Sequence, residues 1–253
     1  MALQDGSRFS ARSVWRWPAT WDSPVLRPVI PLEAPAAGGD TTVDYDVAAS
    51  GDDANAGSIA SPGKGPATAN ITAGDITAAL LSPGSHGAGD NWSFGARFVG
   101  VAVPQAAVIV SATLVLTGGA TYAPGGITVR YIISGQDEDT AQAFTTGAGD
   151  SLSNGDRPRT TADATMNVPA VTANVEYSVD ITAIVQELVN RAGWVSGNAM
   201  ALLGDNDAAT TTGEWQDFHS YDGDPTRAPR ISITYSGGGG GGGNRRRRLL
   251  LAA

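Results

Sequence analysis

Residues 108–116 read VIVSATLVL, an almost unbroken run of apolar and β-branched side chains. A run of this kind with no Gly or Pro inside it predicts a long buried strand. Near the end of the chain, residues 230–235 (RISITY) alternate apolar and polar side chains, which predicts a half-buried strand. Strands of both kinds, separated by Gly- and Asp-rich turns, are typical of an antiparallel sandwich.

Shorter strand signals lie between the turns. Alternation or short apolar runs predict further strands at 43–47, 97–103, 127–133, 176–181 and 199–203. Residues 39–90, which include the predicted strand at 43–47, contain few large side chains. We expect long loops there, apart from a weak element around Leu80 and Leu81.

A single helix is predicted over about 180–192, because apolar residues recur there at the spacing of one helix face. Asp180 is placed to cap the first turn. Trp194 follows the helix and is expected to tuck beneath it. Glu187 and Arg191 are four residues apart, so we expect them to form an ion pair on the solvent side.

Composition excludes several kinds of chemistry. The chain has 253 residues with 33 Gly, no Cys and two His, namely His86 and His219. Disulfides, thiolate metal sites, thiol nucleophiles and histidine-rich metal centres are therefore excluded.

Charge separates the ends from the middle. Acidic residues outnumber basic ones, 25 against 16, yet the first 28 residues and residues 245–248 are basic. The acidic middle repels phosphate, so we expect no nucleic-acid partner. No apolar run is long enough for a membrane helix, and the N-terminus lacks the apolar core of a secretory signal. We expect no membrane partner, and assembly from the cytosol of the producing cell.

Residues 1–38 are predicted to form an extended arm, because closely spaced prolines prevent a helix or a central strand. The arm is nevertheless apolar, with three tryptophans at Trp15, Trp17 and Trp21. Large apolar surface is normally covered. Two interpretations stay open: the arm packs on its own domain, or it lies across a neighbouring subunit.

Residues 237–253 form a distinct end. Seven glycines, 237–243, make a flexible tether, and the sequence NRRRRLLLAA follows. We expect the tail either to be frayed or to dock in an acidic groove beside an apolar pocket. The residues predicted to contact other proteins are Trp15, Trp17 and Trp21 of the arm and, in the tail, Arg245, Arg246, Arg247, Arg248, Leu249 and Leu250.

Three stretches carry a resemblance to a known family. They are FGARFVGVAVPQAAVIVSATLVL (94–116), SVDITAIVQELVNRAGW (178–194) and APRISITY (228–235). Their order resembles the DNRLRE-type domain and is similar to the alginate-binding family 96 carbohydrate-binding modules. The resemblance implies a jelly-roll β-sandwich at 39–236, best defined over 92–235, and it implies fold more firmly than ligand.

The glycine and arginine runs at the C-terminus resemble the ends of some tailed-bacteriophage structural proteins. The favoured function is therefore non-enzymatic: a virion component, most simply a capsid decoration or cement protein that binds copies of itself and other capsid proteins. A phage tail or fibre role remains an alternative.

A carbohydrate-binding module, on a virion or secreted, is the second alternative. Sugar binding needs exposed aromatic rings beside hydrogen-bonding groups, and Trp92, Trp215 and Tyr221 lie in polar stretches. The competing interpretation is that Trp215 and Phe218 cover the sandwich edge.

Metal binding and catalysis have weaker signals. Asp205 and Asp207 offer hard oxygen ligands for a structural Ca²⁺, although no complete calcium loop occurs. Neither His86 nor His219 lies in a nucleophile-elbow motif, and no pair of carboxylates stands out. We expect no catalytic residues and no cofactor beyond such a Ca²⁺.

Overall fold

The computed structural model describes residues 39–59, 75–87, 90–122, 127–146, 152 and 157–236. The predicted arm at 1–38 and the tether and tail at 237–253 lie outside these residues. The described residues form twelve strands and one α-helix: β1 (Asp40–Asp46), β2 (Asp53–Ile59), β3 (Leu80–Leu81), β4 (Gly84–Gly87), β5 (Asp90–Phe98), β6 (Val108–Thr117), β7 (Arg130–Gln136), β8 (Arg159–Asn167), β9 (Glu176–Asp180), α1 (Thr182–Val189), β10 (Met200–Asn206), β11 (Phe218–His219) and β12 (Arg230–Ser236).

Two antiparallel sheets make the sandwich. The four-stranded sheet has the order β1-β12-β6-β9, and the larger sheet has the order β2-β5-β10-β7-β8 with β4 added beside β5. β3 and β11 form a separate two-stranded ribbon. The prediction of an all-β antiparallel sandwich with one short helix is confirmed.

The main core lies between the sheets. Alternate side chains of the central strands meet there, as the two-residue period of strands requires. Phe94 and Phe98 of β5 face Leu114 of β6 and Ile233 of β12, and all four are fully buried. Trp194 is also buried as predicted, and its indole N–H donates to the Val103 carbonyl at 2.9 Å.

The outer face of the larger sheet is covered as well. Phe144 and Leu152, from the segment after β7, pack over Ala54 and Leu203 and form a second small core. Every residue of β10 is consequently buried. Arg159 pairs with Asp205 beneath this cover, with Nε 3.2 Å from Oδ2, and both side chains are at most 2% exposed.

The outer face of the four-stranded sheet has no such cover among the described residues. Val108 and Val110 are 60% and 50% exposed, so the prediction that 108–116 is buried throughout is wrong for these two residues and for the exposed Ser111. The side chains of β6 that point into the core are buried, namely Ile109, Ala112, Leu114 and Leu116.

The helix is shorter than predicted. It begins at Thr182 rather than 180 and ends at Val189, and its N-cap residue is Ile181. Although the N-cap position falls on Ile181, the Asp180 carboxylate accepts the free N–H of Thr182 in the first turn at 2.8 Å, as well as the Thr182 hydroxyl at 2.6 Å.

The predicted Glu187–Arg191 ion pair is wrong. Glu187 accepts the backbone N–H groups of Thr161 and Ala162, both at 2.7 Å. Arg191 binds the carboxylates of Asp137 and Asp139. Glu187 and Arg191 thus each bind a different segment of the chain. An exposed ion pair between them would contribute little, because solvent screens it.

Candidate functional site

Four rings form a stack at one end of the sandwich, which we call the aromatic ladder: Trp92, His86, Trp215 and Tyr122. The His86 ring lies between the two indoles, with centroid distances of 4.6 Å to Trp92 and 4.3 Å to Trp215. Tyr122 continues the series beyond Trp215 at 6.4 Å, and its plane is tilted by only 14°. The two tryptophans predicted for sugar binding are therefore brought together.

The pairing of β4 with β5 positions the rings of the aromatic ladder. Trp92 lies near the start of β5, and Gly84 of β4 is its strand partner. Gly84 also bridges to Trp215, and a Cβ at Gly84 would lie 2.7 Å from the Trp215 Cα. Gly84 has φ of 137°, which side-chain-bearing residues rarely adopt. This glycine lets the loop carrying Trp215 approach the strands closely enough for the rings to stack.

Carboxylates lie at both ends of the ladder. The Trp92 indole N–H donates to Asp90 at 3.0 Å, and the Tyr122 hydroxyl donates to Glu214 at 2.5 Å. The hydrogen bond to Glu214 raises the pKa of the Tyr122 phenol, which keeps it a donor. Tyr122 is 38% exposed and the other three rings are half-buried. The ladder thus combines accessible ring surface with hydrogen-bond acceptors.

Tyr221, the third predicted sugar-binding residue, is not part of the ladder. It packs against the main core, and its backbone N–H donates to the Asp53 carboxylate at 2.6 Å. Sequence reasoning missed Tyr122 altogether and considered His86 only as a catalytic base. The only local sign of a role for His86 is the sequence PGSHG at 83–87, in which the histidine ring lies between two glycines.

The two candidate calcium ligands are engaged by arginines. Asp205 pairs with Arg159 and also accepts the Ser93 hydroxyl at 2.8 Å, while Asp207 pairs with Arg130 at 3.2 Å. Within the described ranges, no group of three or more His, Cys, Asp or Glu side chains is arranged to hold a metal ion.

The two histidines lie in different surroundings. His86 Nε2 is 2.9 Å from the Ser82 carbonyl oxygen, within the ladder. His219 Nε2 is 3.2 Å from the side-chain oxygen of Asn174. Neither contact joins a histidine to a serine hydroxyl and an acid, the arrangement that nucleophilic catalysis requires.

A second feature lies at the other end of the sandwich, and we call it the terminal corner: Asp40, Ser236 and Val108. Asp40, the first residue of β1, is the strand partner of Ser236, the last residue of β12, and Ser236 is in turn the partner of Val108. β6 leads from Val108 at this corner towards the end that carries the ladder, over about 33 Å at 3.3 Å per residue.

The predicted protein-contact residues flank this corner along the chain. Trp15, Trp17 and Trp21 precede Asp40, and the segment Arg245–Leu250 follows Ser236; all lie outside the described residues. The segments that carry them nevertheless join the sandwich at neighbouring backbone positions.

Comparison with models of protein families and with curated proteins found no match to this chain. Among the residues that the structure describes, no helix has the length and apolar character needed to cross a bilayer.

Proposed function

We propose that the protein is a non-enzymatic virion structural component, a capsid decoration or cement protein of a tailed bacteriophage, assembled in the host cytoplasm. The pairing of Asp40 with Ser236 carries this proposal. It means that the tryptophan-bearing arm and the arginine-bearing tail leave the sandwich from one corner. A neighbouring subunit that meets the corner can bind both segments at once.

The chemistry of the two segments supports attachment to protein. Tryptophan and arginine are the residues most enriched at the energetic centres of protein interfaces. Two weak attachments that act together are stronger than either alone, because binding of the first raises the effective concentration of the second. The partners are copies of the same chain and other capsid proteins. A tail or fibre component would attach in the same way.

Deletion of each segment tests this function. Removal of 1–38 or of 237–253 should reduce binding to particles that lack the protein, and removal of both should abolish it. The thermal unfolding midpoint should stay the same, since the described core lies within 39–236. A control is the full-length Trp215→Ala variant, which alters the opposite end. Full particle binding by the double deletion would refute the proposal.

The aromatic ladder favours carbohydrate binding as a second candidate function. Sugars bind proteins by stacking C–H groups on aromatic rings and by hydrogen bonds to carboxylates, and the ladder offers both within one site. Its location away from the terminal corner would leave it accessible on a chain attached through its ends.

A glycan array followed by titration tests this candidate. Trp215→Ala should weaken binding of any retained glycan by tenfold or more, since loss of a central aromatic contact costs about 2 kcal/mol or more. Tyr221→Phe is the control, because it removes a hydroxyl outside the ladder. No glycan retained by the full-length protein, or equal binding by both variants, would exclude the ladder as a sugar site.

A further inference from the structure

The outer face of the four-stranded sheet is lined by small hydroxyl side chains, and we call it the hydroxyl face. In the strand register, Thr42 lies beside Thr234, and their hydroxyl oxygens are 2.8 Å apart. The next row places Asp44 beside Ser232 and Thr113. No described segment packs over these side chains, which are exposed or half-buried, so the face is open to a partner. Its hydroxyl-bearing members are Thr42, Ser111, Thr113, Ser178, Ser232 and Thr234.

The β1 edge of the hydroxyl face is acidic, and the β9 edge also exposes two carboxylates, Glu176 and Asp180. Asp40, Asp44 and Asp46 alternate along β1, and all are exposed. None of the ion pairs between described residues includes them. The one arginine on the face, Arg230, is held by two hydrogen bonds to Glu176, at 2.6 and 2.8 Å. Arg230 also lies close enough to attract Asp44 and Asp46 electrostatically. The β1 edge therefore carries three carboxylates near one arginine that is itself bound to Glu176, so a cationic partner can add to their neutralisation.

Apolar surface lies beside these carboxylates. Val108 occupies the same row as Asp40, two strands away, and the neighbouring Val110 also faces solvent. Two strand spacings correspond to about 10 Å. A partner that fits this face has positive charge followed, within a few residues, by apolar side chains.

We propose that the hydroxyl face binds the segment Arg245–Leu251 of a second copy of this chain. This inference rests on the proposed function and names one of its contacts. The segment consists of four arginines followed by three leucines, which matches the acidic edge and the adjacent valines in both charge and order. Arginine forms two-pronged hydrogen bonds with carboxylates, which suits a row of aspartates.

The length of the chain after β12 allows contact with a second copy. β12 ends at Ser236, which lies at the terminal corner beside Asp40. Eight residues separate Ser236 from Arg245. They reach about 15 Å on average and about 28 Å when extended. A neighbour that meets the terminal corner lies within that reach.

Like charges disfavour the simplest alternative, a symmetric dimer of two hydroxyl faces. That arrangement would bring the aspartates of two β1 strands together, and carboxylates at close range repel. Insertion of a tail into a face is instead asymmetric. Each copy keeps one free tail and one free face, so the contact can extend to further copies.

Complementation between two full-length variants tests the proposal. The face variant is Asp44→Asn/Asp46→Asn, and the tail variant replaces Arg245 to Arg248 with serine. Light scattering at low salt should show concentration-dependent association of the unmodified protein. Loss of two exposed ion pairs should raise the dissociation constant of the face variant about 2- to 30-fold, at 0.2–1 kcal/mol per pair. The matched control, Asp90→Asn/Glu214→Gln, removes two carboxylates at the ladder and should associate normally.

An equimolar mixture of the face and tail variants should form dimers that grow no further, because the intact tail of one binds the intact face of the other. Association should weaken at high salt. An unmodified protein that stays monomeric, or a mixture that associates no better than its components, would overturn the inference. The proposed function would survive either result if deletion of the tail still weakened binding to particles.

Discussion

The two sheets of the sandwich present outer faces of opposite character. On the larger sheet, Phe144 and Leu152 cover the strands, and Arg159 and Asp205 are buried as a pair beneath them. On the four-stranded sheet, no described segment covers the hydroxyl face, and the aspartates of β1 form no ion pair with a described residue. Both sheets face the same core with alternating apolar residues. The difference between the two sheets therefore arises from the side chains that point outward, away from the core.

The contrast shows how burial changes the role of a charge. Asp205 on the covered face is 1% exposed and needs its arginine, because an unpaired buried charge is costly. Asp44 on the hydroxyl face is hydrated and needs no partner for folding. The buried pair on the covered face therefore contributes to the fold, whereas the exposed aspartates of β1 are available for binding.

The largest expected effect is on the covered face. Asp205→Ala leaves Arg159 buried without its carboxylate, and we expect the free energy of unfolding to fall by about 3–5 kcal/mol. Urea denaturation measures the change. Asp207→Ala breaks the more exposed pair with Arg130 and should cost about 0–1 kcal/mol. Equal losses in the two variants would contradict the contrast between buried and hydrated charges.

A buried carboxylate without an arginine sharpens the contrast. Burial raises the pKa of Asp53 from 3.8 to about 7, and the nearby charges of Asp222 and Asp52 add to the effect. Between about pH 4 and pH 7 the folded state holds a proton that the unfolded chain has released. The contribution of Asp53 to the free energy of unfolding is therefore fully present below about pH 4, and it should be lost as the pH rises to about 7, by up to about 1.4 kcal/mol per pH unit.

Asp53→Asn should remove this pH dependence, as measured by urea denaturation between pH 4 and 8. The control is Asp207→Asn, which should retain the slope. A parallel pH profile for the Asp53→Asn variant and the unmodified protein would show that Asp53 is ionised throughout this range.

Gly95→Ala tests how tightly the cover is packed. A Cβ at Gly95 would lie 2.4 Å from the Phe144 ring, so the ring must move. We expect a loss of about 1–3 kcal/mol in thermal or chemical unfolding. Gly100→Ala is not a suitable control, because Gly100 has φ of 69° and alanine would be strained there. Gly39→Ala has open space at its Cβ and should be neutral; a comparable loss there would contradict the packing argument.

The smallest effect is expected on the hydroxyl face. Thr113→Val should change stability by less than about 0.5 kcal/mol, since the hydroxyl faces outward. The matched substitution Thr160→Val removes a buried hydroxyl that accepts the Gly135 N–H at 2.9 Å. That loss should cost about 1–3 kcal/mol. A large effect at Thr113 would indicate that the open face contributes to folding.

The sandwich was predictable where side chains follow a simple period. The strand at 230–235 and the one helix were found because one face of each is buried and the other is not. β2 (DANAGSI) was missed and assigned to a loop. Its small residues pack beneath large rings on both sides, as Gly57 does against Trp92 and Ala54 against the second core. A row of small residues shows no alternation of large apolar and polar side chains. The large rings that bury β2 lie far away in the sequence, so its burial is not visible locally.

The candidate sites were predictable only in part. Trp92 and Trp215 stood out as aromatic residues in polar sequence, but their stacking through His86 depends on the bridge between Gly84 and Trp215. Such a bridge joins residues more than a hundred positions apart and leaves no local pattern. For the same reason, the sequence contained no sign that Asp40 and Ser236 are neighbours.

If the protein is a capsid component as proposed, the pairing of Asp40 with Ser236 has a mechanical consequence in a particle under internal pressure. If both flanking segments are fixed to the same neighbour, tension enters and leaves the domain at adjacent residues. The load then bypasses the sandwich and cannot stretch its core. If the two segments are pulled apart instead, force acts first on the hydrogen bonds at the start of β1. The strand would peel from β12 one pair at a time, at low force.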